Sequence, residues 1–249
     1  MNMLQEERHQ IILNRINQRQ RVTTTELCKL LKVSVDTVRR DLYELENSGK
    51  LVKVHGGAVA PSFHLPFQQP NVYAKENKVA IAQKAAGLIK DGMSILTGGG
   101  TIVLELVKMI PKNQQGIFFT VSPLVALEMA QASSMKVILL GGNVISDSYI
   151  CSGPTVISQL AEISVDLCFL GTNSISVKQG VTDHDWEVAQ VKKALLKSAA
   201  KPVVMCISEN LDTSERIQVA PLKQFDTLIT ELSPGQNQLA RYSKALKLI

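Results

Sequence analysis

Three groups of side chains in this chain have types and spacings that could do chemistry. The first is Ser34-Val35-Asp36-Thr37-Val38-Arg39-Arg40-Asp41-Leu42, which reads as a short helix. At about 100° per residue, Val35, Val38, Leu42 and Leu45 share one arc. Asp36, Arg40 and Glu44 lie opposite, flanked by Thr37 and Tyr43. Ser34 suits the cap position, because its hydroxyl can accept a hydrogen bond from an amide of the first turn. Arginine and threonine near a helix start can read base edges in a DNA major groove. The same pattern equally serves an ordinary amphipathic helix with a solvated charged face.

The second group is Gly98-Gly99-Gly100-Thr101, between a strand-like and a helix-like run. Glycines let an anion approach the backbone, and the free amides and dipole of a helix start favour a phosphate. No Lys-Ser/Thr pair follows, so this is not a P-loop, and the spacing does not fit a dinucleotide fingerprint. A tight turn would use the same glycines. The third group is Asp183, His184, Asp185 and Glu187, just before a helix-like segment opening at Trp186. A carboxylate base of this kind could serve sugar isomerisation. The reading adopted is helix capping, with acids stabilised at the positive helix end.

The elements that would position the first group flank it. Thr23-Thr24-Thr25-Glu26 fits a capping box opening a helix from Glu26 to Leu31, with Leu27, Leu30 and Leu31 inward. Lys32-Val33 makes a tight connection into the Ser34 helix. A longer run from Leu4 to Ile16 places Ile11, Ile12, Leu13 and Ile16 as apolar positions of a bracing helix. Together these make a helix-turn-helix. Gly49 ends the second helix, Leu51 to His55 alternates as a strand, and Gly56-Gly57 turns it into Ala58-Val59, a small wing. Lys53 and His55 would then lie near phosphates. For His55 a local turn contact is as good a reading.

These residues carry a family resemblance. The run from Glu7 to Val59 resembles the winged-helix N-terminus of the DeoR family of bacterial transcriptional regulators. It rests on Glu7-Arg8, Glu26-Leu27, Val33-Ser34, Thr37 to Leu42, Leu45, Gly49, Leu51 and His55-Gly56-Gly57-Ala58-Val59. The resemblance implies double-stranded operator DNA as partner, with Thr37, Arg39 and Arg40 as the foremost contacts. Asp41 is expected to brace neighbouring basic residues or backbone, since a carboxylate is repelled by phosphates.

Composition agrees with such a protein. The 249 residues are 45% apolar, enough for one large domain or two ordinary ones, and the formal charge is +5. Residues 1–60 hold ten Lys/Arg against seven Asp/Glu, whereas residues 61–249 hold seventeen against fifteen, so the basic excess is denser at the N-terminus. Cys28, Cys151, Cys168 and Cys206 are scattered through apolar runs without ligand spacing, which suggests free thiols in a reducing cytoplasm and no zinc site. No segment reads as a membrane span or a signal peptide. A soluble cytoplasmic protein with no metal or cofactor is expected.

A winged helix-turn-helix over residues 1–59 is followed by a linker over 60–75 with Pro61, Pro66 and Pro70, and with Phe63, His64 and Phe67. Residues 76–249 alternate helix and strand. Helices are expected at Glu76–Ile89 (through Val79, Ala82, Ala86 and Ile89), Ile102–Ile110, Pro123–Ala132, Pro154–Ile163 and Trp186–Ala200. Strands are expected at Ser94–Leu96, Ile117–Val121, Lys136–Leu140, Asp166–Leu170, Val203–Ile207 and Thr227–Thr230. The fold class is α/β, with a mostly parallel sheet covered on both faces. Ligands bind such sheets at the C-terminal edge. Gly98, Gly99, Gly100, Thr101, Ser122, Gly141, Gly142, Gly171 and Asp183 are the candidates to line a ligand there.

The resemblance continues through Lys78 to Ala86, Asp91-Gly92, Leu140-Gly141-Gly142, Ser152-Gly153-Pro154, Asp166, Phe169-Leu170-Gly171 and Gly180-Val181-Thr182-Asp183. It extends into Glu187, Val191-Lys192-Lys193 and Ile229-Thr230. In that family this domain is similar to ribose phosphate isomerases and serves as an effector sensor, which implies a phosphorylated sugar as ligand. Three positions depart from the family pattern. Thr97-Gly98-Gly99-Gly100-Thr101 stands for Asp-Ser-Gly-Thr-Thr, Thr120-Val121-Ser122 for Thr-Asn-Ser, and Ile207-Ser208-Glu209-Asn210 for Asp-Ser-Ser-Lys. The lysine lost at Asn210 could weaken anion binding by ~1.5–3 kcal/mol.

The expected function is a sequence-specific transcriptional repressor of a carbohydrate operon, not an enzyme. It would act as a homodimer or higher even oligomer and be relieved by a phosphorylated sugar. The alternative is an isomerase-like enzyme with a DNA-binding head. RNA binding would need an exposed aromatic platform that the head lacks.

Overall fold

The computed structural model describes residues 3–19, 21–59 and 73–249. Most of the proline-bearing connector, residues 60–72 with Pro61, Pro66, Pro70, Phe63, His64 and Phe67, lies outside the described residues. The chain divides into two compact units, Met1–Lys75 and Glu76–Ile249.

The first unit runs α1 (Gln5–Arg19), β1 (Arg21–Thr23), α2 (Thr24–Leu31), α3 (Val35–Asn47), β2 (Val52–Val54) and β3 (Gly57–Val59). Its strands form an antiparallel sheet in the order β1-β3-β2. The capping box forms as its residue types require: Glu26 N donates to Thr23 Oγ1 at 3.2 Å, and Thr23 N donates to Glu26 Oε2 at 3.0 Å. Ile12, Ile16, Leu27, Val38, Leu42 and Leu45 form the centre of the core.

Several details differ from the sequence reading. β1 was not foreseen, because three residues with only Val22 turned inward are too few for a periodic signal. Val35 is 45% exposed and Leu30 44% exposed, not inward. The buried stripe of α3 runs through Val38, Asp41, Leu42 and Leu45, and Val35 sits at its edge in the first turn. In α2 the stripe is Leu27 and Leu31, one turn apart. The wing turn is His55-Gly56, since Gly57 already pairs in β3 opposite Val54. A Cβ at Gly57 would run into the Val22 carbonyl, so the β1–β3 approach requires glycine there.

The second unit is built on seven strands: β4 (Ser94–Thr97), β5 (Ile117–Thr120), β6 (Lys136–Leu139), β9 (Val165–Gly171), β12 (Ala199–Met205), β14 (Thr227–Ile229) and β15 (Lys247–Leu248). Their order is β15-β14-β12-β9-β4-β5-β6, and every pairing is parallel. This is the layered α/β fold expected. The chain steps outward from β4 to β6, then returns to β9 and proceeds the other way. The order therefore reverses between β4 and β9, where the loops leaving two neighbouring strands diverge and open a crevice.

Helices α4 (Lys75–Ala86), α5 (Thr101–Met109), α6 (Pro123–Ala132), α7 (Pro154–Ala161) and α8 (Trp186–Lys197) cover the sheet. Leu96 packs with Leu160 of α7 and Val188 and Leu195 of α8. Ile81 of α4, Val103 and Leu106 of α5 and Met129 of α6 are buried outside that cluster, on the opposite face. The buried stripe of α4 is Lys78, Ile81, Ala82 and Ala85, not the Val79–Ile89 stripe expected. α8 stops at Lys197 and β12 starts at Ala199, because pairing of Ala199 with Val165 overrides the helix preference of two alanines.

Short antiparallel pieces complete the unit: a hairpin of β7 (Asn143–Ile145) and β8 (Ile150–Ser152), and a sheet of β10 (Ile175–Ser176), β11 (Gly180–Asp183) and β13 (Ile217–Ala220). They are too brief for a periodic signal, and the sequence reading missed them. All four cysteines are free. Burial pushes the Cys168 thiol up to about 12, which keeps it protonated and inert. Among the described residues no helix is long and apolar enough to cross a membrane.

Candidate nucleic-acid interface and effector site

In the first unit, α3 turns its polar side outward. Ser34 caps it, accepting from Thr37 N at 3.2 Å. The Thr37 and Ser34 hydroxyls also meet at 2.9 Å, so Thr37 is partly occupied in holding the cap. Asp36, Arg39 and Arg40 are exposed. Arg39 Nη1 lies 3.8 Å from Asp36 Oδ1, a solvent-screened pair that DNA phosphate could displace. Among the described residues no acid pairs with Arg40, so its guanidinium is available for a bidentate partner. Lys53 of β2 is tied to α3: its amide donates to Glu46 Oε1 at 2.9 Å and its ammonium lies 5.3 Å from the Tyr43 ring centroid. This places a wing cation beside the polar face of α3. His55 is exposed at the wing turn.

Asp41 faces inward and is almost fully buried. Its partner is Arg8 of α1, not a basic neighbour on its own helix as expected. Arg8 Nε and Nη2 donate to its two oxygens at 2.7 and 2.9 Å. That hydrogen bond raises the Arg8 pKa further. A charge at Asp41 is tolerable there only because the guanidinium matches it in two-pronged geometry.

In the second unit the glycine loop sits in the crevice between β4 and β9. Gly98 N donates to Phe169 O at 3.4 Å and Thr120 Oγ1 donates to Gly98 O at 3.3 Å. A Cβ at Gly99 would lie 2.6 Å from Ile150 Cγ2 and 3.4 Å from Ser122, and one at Gly171 would lie 3.7 Å from Gly99 O. The fold thus brings Gly98, Gly99, Ser122 and Gly171 together. The Ser122 hydroxyl is engaged, donating to Tyr149 O at 3.1 Å and capping α6. Gly100 adopts φ 105° and caps α5 with no side-chain hydrogen bond, leaving amides of the first turn, beginning at Thr101, without that partner. Below it, the fully buried Thr97 hydroxyl has no hydrogen-bond partner among the described residues. Leu96 faces α7 and α8, so Thr97 faces the α5 side by strand alternation. Gly141 and Gly142 stand at the root of the β7–β8 hairpin, where Gly142 packs on the Ser152 carbonyl.

Asp183 ends β11 and accepts from Lys192 Nζ at 2.8 Å, with His184 Nδ1 at 3.4 Å. Burial pushes its pKa up, but Lys192 and hydrogen bonding outweigh this and hold the carboxyl below its ordinary value. Lys192 lies one turn before Leu195 on α8, and Leu195 is the side chain nearest a Cβ at Gly98. Asp185 caps α8 by accepting from Val188 N at 2.9 Å, and Glu187 accepts from the Ser152 hydroxyl at 2.7 Å. Asp185 is thus the helix cap that the capping reading expects, whereas Glu187 is held by Ser152 and Asp183 by Lys192.

Sequence reasoning missed Lys78. It lies in the buried stripe of α4, where burial pushes its pKa down to about 8 while Glu209 and Glu105 pull it back up. The signal was present: Lys78, Ile81, Ala82 and Ala85 have i, i+3, i+4, i+7 spacing, but the stripe was drawn through Val79 instead.

Residues 74–232 match the family model described as the DeoR C terminal sensor domain, and residues 8–63 match the DeoR-like helix-turn-helix domain. The chain is 32% identical over 237 residues to the HTH-type transcriptional repressor GlcR of Bacillus subtilis (strain 168), covering 94% of this chain and 91% of the relative. It is 30% identical over 228 residues to the HTH-type transcriptional regulator GolR of Listeria innocua, covering 90% of each. It is also 30% identical over 252 residues to the lactose phosphotransferase system repressor of Streptococcus mutans, covering 99% of this chain and 100% of the relative.

Proposed function

We propose that this chain, which belongs to the DeoR family of transcriptional regulators, represses a carbohydrate-catabolic operon and leaves its operator when a phosphorylated sugar binds. The observation that carries the DNA half is the outward face of α3, with Arg39 and Arg40 exposed and Lys53 of the wing anchored alongside. Arg40 reads base edges, while Lys53 and the cap region meet phosphates. The names of relatives as repressors, one of a lactose phosphotransferase system, support the sign and the metabolic setting.

The effector half rests on the uncapped α5 start over the orphan Thr97 hydroxyl, in the crevice where the strand order reverses. Backbone amides converging there suit a phosphoryl group, and Asp183 with Lys192 suits sugar hydroxyls. One head contacts too few bases for useful selectivity, so the active form is a homodimer or higher even oligomer on paired half-sites. Effector binding shifts the population toward an arrangement whose heads no longer match the half-site spacing. The test is an operator gel-shift titration with and without a panel of sugar phosphates. Release by none of them rejects the effector assignment.

A further inference from the structure

The sensor unit has a buried cation that the site described so far does not use. Bonds from both ends of α4 pin it over the C-terminal ends of β12 and β14. Asn77 Nδ2 donates to Glu231 Oε1 at 3.3 Å, and Glu231 in turn accepts from Ser208 N at 3.0 Å and from the Ser208 hydroxyl. Lys84 Nζ donates to the carbonyls of Thr230 and Leu232 at 2.8 and 2.7 Å. Lys78, the residue after Asn77, is therefore held at the same sheet edge as the glycine loop. It is on the same face as Thr97, since α4 and α5 cover the side opposite Leu96.

Two carboxylates act on Lys78, and they are not equivalent. Glu105 is buried and paired with Lys108 at 3.0 Å. Glu209 is exposed, on the one-turn 3-10 helix Ser208–Asn210. Its field on Lys78 is the stronger of the two. An exposed acid can swing into water at little cost, whereas a buried ammonium needs a counter-charge at all times. Asn210, next along that turn, stands where the family pattern has a lysine.

We propose that Lys78 is the cation that receives the anionic group of the effector, and that Glu209 occupies this cation until the effector displaces it. The inference rests on the reading that the sensor unit binds a phosphorylated sugar. The phosphoryl oxygens take hydrogen bonds from the α5 amides and the Thr97 hydroxyl, and Lys78 supplies the charge no longer present at position 210. Glu209 thereby sets the concentration at which the effector acts.

The test is calorimetric titration of the intact protein, wild type and Glu209→Gln, with a panel of pentose and hexose monophosphates, their unphosphorylated sugars and inorganic phosphate. Removing the competing carboxylate should tighten binding of phosphorylated probes roughly tenfold, a charged hydrogen bond's worth, and leave the unphosphorylated sugars unchanged. Lys78→Gln should lose the phosphorylated probes while keeping operator affinity. Glu209→Gln lies on the surface and keeps the test decisive should Lys78→Gln fail to fold. Wild-type binding that Glu209→Gln leaves equal or weakens overturns this inference and spares the effector reading. Binding of no phosphorylated probe by either protein overturns both.

Discussion

Arg8 grips both carboxylate oxygens of Asp41, Nε to Oδ2 at 2.7 Å and Nη2 to Oδ1 at 2.9 Å, and so bolts the first helix to the inner side of the recognition helix. The aim of the outward arginines depends on this pair, because it fixes the rotation of α3 about its own axis. Asp41→Ala would leave the Arg8 guanidinium without its partner and should destabilise the head by about 3 kcal/mol or more. Urea unfolding followed by helix signal checks this, and operator affinity should fall in parallel.

The two neighbouring arginines should behave differently. Arg40→Ala should cost about 1–3 kcal/mol at the operator and relax selectivity at one base pair, the signature of a lost bidentate base contact. Arg39 already neighbours Asp36, so Arg39→Ala should cost less and act evenly across sequences. Anisotropy titrations on the operator and on single-base variants distinguish the two.

Gly57→Ala should damage the wing, since its methyl group would strike the Val22 carbonyl across the β1–β3 pairing. A loss of about 1–3 kcal/mol is expected for forced overpacking of this kind. Gly56→Ala should cost about 1 kcal/mol through its φ of 80° alone, with open space around it. Thermal melts of the two variants should rank them in that order.

Stability should rise with pH on the alkaline side. Lys78 has its pKa lowered from 10.5 to about 8, and burial lowers that of Lys84 as well. Between the folded and unfolded values the unfolded chain binds more protons, so unfolding becomes harder as pH rises through that window. Below the folded value the cost of burying the charge is fully present. Urea midpoints of the sensor transition should climb from about pH 8 to about pH 9, above which the Cys168 and Cys206 thiols, both pushed up by burial, pull the other way, and Lys78→Met should flatten the climb.

The recognition helix was legible because two local signals coincide, a serine cap and an apolar stripe, and neither needs the rest of the fold. The helix-strand alternation of residues 76–249 was legible for the same reason. The burial of Asp41 and Lys78 was not. Each is a charge inside an apolar stripe, tolerated through partners far along the chain, Arg8 in one case and the Glu209 turn in the other. The hairpin at 143–152 and the short β10–β11–β13 sheet escaped notice because strands of two to four residues carry no period. The glycine loop was singled out correctly as a strand-to-helix junction, but its proximity to Ser122 and Gly171 follows only from the strand order.

Anisotropy of the intact protein on a duplex taken from upstream of its own coding region, against a scrambled duplex of equal length, probes the reader and the sensor together. The specific duplex should bind about a thousandfold more tightly or better, and at least one sugar phosphate should release it. Equal affinity for both duplexes at every salt concentration, with no sugar phosphate changing either, would contradict the account.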